Sequence, residues 1–166
     1  MVRFEWAQVL AFDGASKPPI TTDEILDTPP DKLRLGLQPY LSLLQLHHAV
    51  DDFVIALKQR ATDGLRGEAS NAFDSAPKAA PPKKRIRLPA RAQIYLAVHR
   101  HENRLYFKRL EAEAFAILTA LSRGVSVPDA CVEAISASGQ NEVHWAPKIQ
   151  AWFQNWAALG WLCRAR

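Results

Sequence analysis

From Ile94 to Leu110 apolar and polar residues alternate on either side of Glu102-Asn103, a pattern that predicts a β-hairpin. A two-residue turn there sets Val98 opposite Phe107 and Arg100 opposite Leu105. One face of the hairpin then carries Ile94, Leu96, Val98, Leu105 and Phe107 and is expected to pack on the helices that follow. The other carries Tyr95, His99, Arg104, Tyr106 and Lys108 and is expected to meet solvent, the first half of the chain or a ligand. Helical spacing follows three times. Phe115, Leu118 and Leu121 form one stripe, stopped by Gly124. Ser126 caps the next helix, with Pro128 and Asp129 in its first turn. Trp145, Ile149, Trp152, Phe153 and Trp156 mark the last, which Gly160 ends before Trp161-Leu162 returns as an extended segment. A hairpin followed by three short helices is the order of a winged-helix domain, and the helical spacing of the tryptophans assigns most of them to its core.

The first half is less regular. Val2, Trp6, Val9 and Leu10 recur at helical spacing, and Gly14 offers a stop. This helix starts almost at Met1 with no lead-in, so further sequence is expected upstream. Thr21 and Glu24 fit a capping box, opening a short helix that ends near Pro29-Pro30. Leu33, Leu35 and Leu37 alternate with polar residues and glycine as in a strand, and Val50, Phe53, Val54 and Leu57 mark an amphipathic helix. About 60 residues are marginal for an independent core, so this half is expected to lean on the second half, on a partner, or on both. From Thr62 to Ala90 periodicity dissolves into small, polar and proline residues. The expected organisation is therefore α+β: a helix and strand segment over 1–61, a flexible basic linker over 62–90, and a winged-helix domain over 91–166.

Charge changes this picture only mildly. The formal net charge is +4 and the sequence pI about 9.3, which favours anionic partners. Much of the excess sits at the linker's end, where Lys83, Lys84, Arg85 and Arg87 are candidate phosphate contacts. The helix over 145–158 offers Lys148, Gln150, Gln154 and Asn155 but no arginine, which is poor chemistry for reading base edges. Peptide capture is the other binding mode open to such a domain, because an uncovered sheet edge can accept an extended chain as an added strand. On that reading the strand residues Arg104, Tyr106, Lys108 and Leu110 and the helix residues Lys148, Trp152 and Asn155 are the candidate peptide contacts. The histidines have no cysteine or carboxylate at metal-binding spacing, and no nucleophile elbow, phosphate loop or carboxylate pair nominates a catalytic centre. Cys131 and Cys163 form neither a CxxC pair nor a disulfide framework. No apolar run approaches the roughly 18 residues of a membrane span, and no signal segment opens the chain, so a cytoplasmic protein without cofactor is expected.

Two long stretches, VRFEWAQVLAFDG…PPIT and LRLGLQPYLSLLQLHHAVDDFVIAL, resemble a family of bacterial proteins labelled for a DNA-binding domain. The family includes the HvfC and BufC type and is related to MbnC. The stretch IYLAVHR…LYFKRLEAEAFAILTALSRGVSVPDACVEA…WFQNWAALGWL looks like its C-terminal domain, which is similar to the PqqD-type recognition element of peptide-modifying systems. The resemblance implies a helper subunit, not an enzyme. Such proteins pair with a TIM-barrel oxidase carrying several non-haem iron ions, and the pair modifies a ribosomally made precursor peptide. The helper holds the precursor's leader as an added strand. Carried onto this chain, the holding edge is Arg104 to Leu110, the facing helix Trp145 to Trp156, and the oxidase-docking segment Leu33 to Leu57. Family members also have a helical N-terminal domain, and this chain begins where that domain is expected to have ended. The alternative to the adaptor is a winged-helix transcriptional regulator that binds DNA through its hairpin and the basic run.

Overall fold

A computed structural model of the chain describes residues 1–29, 33–69, 88–89, 91–139 and 145–165. Its elements run α1 (Val2–Asp13), α2 (Thr22–Asp27), β1 (Leu35–Leu37), β2 (Ser42–His48), α3 (Val50–Ala69), β3 (Arg91–His101), β4 (Arg104–Leu110), α4 (Ala112–Ser122), α5 (Val127–Ser138), α6 (Trp145–Ala158) and β5 (Leu162–Arg164). The fold is α+β, and its second half follows the predicted order of hairpin and three helices.

Local chemistry explains most element ends. Glu102 and Asn103 both take positive φ, 48° and 59°, the conformation that a two-residue turn between right-twisted strands requires. The expected register follows, with Val98 opposite Phe107 and Arg100 opposite Leu105. Thr21 and Glu24 close the predicted capping box reciprocally. Ser126 Oγ accepts the Asp129 N–H at the start of α5. At the end of α6, Gly160 sits at φ 67°. There the Trp161 N–H reaches back to the Trp156 carbonyl and the Gly160 N–H to that of Ala157. That pair of bonds needs a left-handed residue, which glycine supplies without a Cβ clash.

The chain forms two compact units. One joins Met1–Gln45 with Tyr95–Arg166, and the other is Leu46–Ile94. In the first unit the N-terminal residues complete the core of the C-terminal helices. Leu35 packs in one cluster with Ala97, Ile117, Leu118, Trp156 and Trp161. β1 pairs antiparallel with β5, and Ile20 donates to the Leu162 carbonyl from the other side of β5. In the second unit α3 runs to Ala69, eight residues into the stretch expected to be linker from Thr62. A nucleated helix gains one backbone hydrogen bond per added residue and needs no apolar face to continue. The remainder of the expected linker is outside the described residues except for Leu88 and Pro89.

The hairpin's faces are the reverse of the sequence expectation. β3 is covered on both sides, with Leu96, Ala97, Val98 and His99 all buried. Tyr95 packs against Phe115 of α4 and His99 edge-on against Trp161, so the Tyr95–Ala97–His99 face meets the C-terminal helices. Phe107, on the Leu96–Val98 face, meets Phe4 of α1 edge-on at 5.3 Å. The cause is volume matching. The bulky rings of Trp156 and Trp161 share a cluster with the small Ala97, whereas α1 buries Phe4 beside Ala7 and Ala11 and sets it against the larger Phe107. The stripe that marks α1 in the sequence is its outer side: Val2 and Trp6 are 78% and 61% exposed.

Candidate functional site

The strand order β2-β3-β4 places β4 at the border of its sheet. The hairpin's closing pair is His101 with Arg104, so Arg104, Tyr106, Lys108 and Leu110 aim their main-chain groups at β3. Leu105 and Phe107 aim theirs the other way. Among the described residues neither of these two makes a main-chain hydrogen bond on that outer side. This border is a template for one more strand.

Side chains flank it on two sides. Toward α6, Lys108 Nζ donates to Asn155 Oδ1 at 2.5 Å. Three residues on, Lys148 Nζ lies 2.5 Å from the Glu111 carboxylate and 5.2 Å over the rings of both Trp145 and Trp152. These two links run in opposite chain directions, so α6 lies antiparallel alongside β4. The structure therefore brings together Tyr106, Lys108, Lys148, Trp152 and Asn155. Leu110 is half-buried opposite Tyr95, and Arg104 is exposed at the hairpin tip, apart from that cluster. Sequence reasoning missed the second wall, α1. Its signal was present in the spacing of Phe4, Ala7 and Ala11, but two alanines carry little weight beside Trp6 and Val9. It also missed Glu111, which engages Lys148. An exposed ion pair of this kind is worth about 0–1 kcal/mol, so a ligand opens it at small cost.

Beneath Tyr106 lies a buried histidine. The His99 ring stacks on Tyr106 at 5.7 Å and stands edge-on to Trp161 at 4.9 Å, with Nδ1 3.4 Å from the Arg100 carbonyl oxygen. Burial pushes its pKa below the ordinary histidine value. The Arg100 carbonyl opposes that shift, and His101 and Lys108 add to it. The folded chain therefore favours neutral imidazole, while the unfolded chain protonates near about pH 6.5. Stability contributed by this group is complete above that pH and is lost as pH falls toward the lowered folded value. Urea midpoints of the wild type are expected to drop between pH 7.5 and 5.5, and the drop is expected to shrink in His99→Gln. Equal drops in both proteins would show that His99 is not the group responsible.

The remaining candidates are placed simply. Lys83, Lys84, Arg85 and Arg87 lie outside the described residues. Among the described residues no group of three or more His, Cys, Asp or Glu side chains is arranged to hold a metal ion. Cys163 is buried and donates to the Leu37 carbonyl, and burial pushes both its thiol and that of Cys131 up, away from the reactive thiolate. Among the described residues no helix is long and apolar enough to cross a membrane.

No family model and no curated protein matches this chain.

Proposed function

We propose that the chain is a non-catalytic adaptor that captures a ribosomal precursor peptide as an added strand on β4 and presents it to a partner iron-dependent oxidase. The observation that carries this reading is the outer side of Leu105 and Phe107, whose main chain is unpaired among the described residues and lies beside α6. Strand addition draws its affinity from main-chain bonds and its selectivity from neighbouring side chains. Here Tyr106, Lys108, Lys148, Trp152 and Asn155 supply aromatic surface and positive charge beside the border. The composition of α6 weakens the regulator reading, because Lys148 is its one cation and it carries no arginine to reach base edges.

A protein partner is supported by α1, whose outer side exposes Val2, Trp6 and Val9. The oxidase identity and a cytoplasmic setting rest on the family resemblance and on the ribosomal origin of the peptide. The test is a titration of the isotope-labelled protein with a synthetic leader from the precursor encoded beside this gene. Amide shifts are expected along 104–110 and on the neighbouring face of α6. A leader that leaves those amides unmoved overturns peptide capture. Steeply salt-dependent binding to duplex DNA, lost when Lys83, Lys84, Arg85 and Arg87 are neutralised, would establish the regulator instead.

A further inference from the structure

At the hairpin tip a cleft of about 930 Å³ opens between Ser16, Lys17 and residues 19–21, Gln38 and Tyr40, residues 100–103 and the C-terminal end of α6. All of these belong to one compact unit. We infer that this cleft binds the carboxylates of an acidic peptide segment.

Its lining sets three basic side chains, Lys17, Arg100 and His101, against a single carboxylate, Glu102. None of the three basic groups stands within ion-pair distance of an acid among the described residues. Their frame is fixed in advance. The Gln38 carboxamide, 2% exposed, accepts the Lys17 N–H at 2.9 Å and donates to the Lys17 carbonyl at 2.8 Å. A buried polar side chain is thus committed to holding the Lys17 backbone at the cleft wall. Arg100 lies over the Tyr40 ring at 4.9 Å and donates to the Phe12 carbonyl, a neutral acceptor that adds no opposing charge. Tyr40 in turn donates to the Gly160 carbonyl at 3.1 Å, tying the end of α6 to the same frame. A guanidinium held as Arg100 is binds a carboxylate with little ordering cost.

One feature of the lining opposes an anion. The C-terminus of α6 carries the negative pole of its helix, equivalent to roughly half a charge. Its Trp156, Ala157 and Gly160 carbonyls are already hydrogen-bonded. Lys17 and Arg100 against Glu102 leave one full positive charge, and the cations win.

Shape and position identify the occupant. A duplex presents phosphates on a convex cylinder, which a recess of this size does not admit. β4 begins at the hairpin tip and the end of α6 lines the same cleft, so a strand laid outside Leu105 leaves the protein here. Continuity with a captured strand rests on the proposed adaptor reading; the carboxylate site itself does not.

The test is a titration of the full labelled chain with a blocked tetraglutamate peptide at low salt. Shifts are expected at Lys17 and residues 100–103, absent with blocked tetraglutamine. The Lys17→Glu/His101→Glu double variant is expected to weaken binding at least about tenfold, the equivalent of 1.4 kcal/mol, while its spectrum elsewhere stays unchanged. Tetraglutamate binding at the tip supports the cleft whether or not a leader engages β4. Leader binding without tetraglutamate binding overturns the cleft alone. Shifts scattered over the surface, indifference to charge reversal, or stronger protection of the same amides by duplex DNA overturns it too.

Discussion

Replacing Trp161 with alanine is expected to remove about 3–5 kcal/mol of folding stability. Trp161 is fully buried and joins three parts of the fold. Its ring packs in the main core cluster and against His99 of β3. Its N–H closes the end of α6 on Trp156, and its carbonyl accepts the Gln38 N–H at 2.9 Å. The backbone bonds survive truncation to alanine; the ring's contacts do not, and the close-packed surroundings refill the space only in part. For a chain of this length the loss corresponds to a fall in melting temperature of roughly 6–20 °C. Two comparisons separate packing from other causes. Trp161→Phe is expected to cost markedly less, because the indole Nε1 has no acceptor among the described residues and its removal breaks no hydrogen bond. Trp6→Ala, on the outer side of α1, is expected to stay within about 0.5 kcal/mol of wild type. Denaturant midpoints with unchanged slopes measure all three. A Trp161→Ala protein as stable as Trp6→Ala would contradict the core described above.

The same residues show which parts of the structure were legible in the chain. Strong local signals carried through: the Glu102-Asn103 turn and its register, the Thr21–Glu24 box, the Ser126 cap, and the return of the chain after Gly160. Each depends on a few neighbouring residues whose conformational preferences are intrinsic. What did not carry through depends on partners distant in sequence. β3 is buried on both faces, so its alternation no longer reports which side meets which layer. Ala97 reads as indifferent until the rings of Trp156 and Trp161 need its small volume. α1 offers two apolar stripes, and the stronger one in sequence is the one left outside. The candidate site shows the same division. That β4 would be a border strand was legible from the hairpin, and so was the choice of α6 beside it. The hydrogen-bonding phase, which turns Leu105 and Phe107 outward and Tyr106 and Lys108 inward, follows from the same predicted register of the closing pair. Glu111 stood outside every pattern considered, because an exposed carboxylate before a helix reads as ordinary.

That phase makes a sharp difference between adjacent positions, and a single proline exposes it. Leu105→Pro is expected to weaken capture of the leader peptide by roughly 5- to 150-fold, while Leu105→Ala leaves it nearly intact. Proline removes an N–H that no described residue accepts, because Leu105 points its main chain away from β3. Border strands tolerate proline where the missing donor would have faced outward. Arg104, preceding it, is already extended as a residue before proline must be. The folded protein therefore keeps its hairpin, and the loss falls on the complex. A carbonyl of the incoming peptide is left without its donor in a partly desolvated place, at a cost of about 1–3 kcal/mol. Tyr106→Pro is the counterpart. It deletes a bond of the β3–β4 ladder, between His99 and Tyr106, and is expected to unfold the hairpin before any ligand is added. Thermal melting distinguishes the two variants, and calorimetric titration with the leader reads the binding. A Leu105→Pro protein that melts normally and still binds the leader at wild-type affinity would mean that the peptide does not extend this sheet, and the adaptor reading would then have to be abandoned.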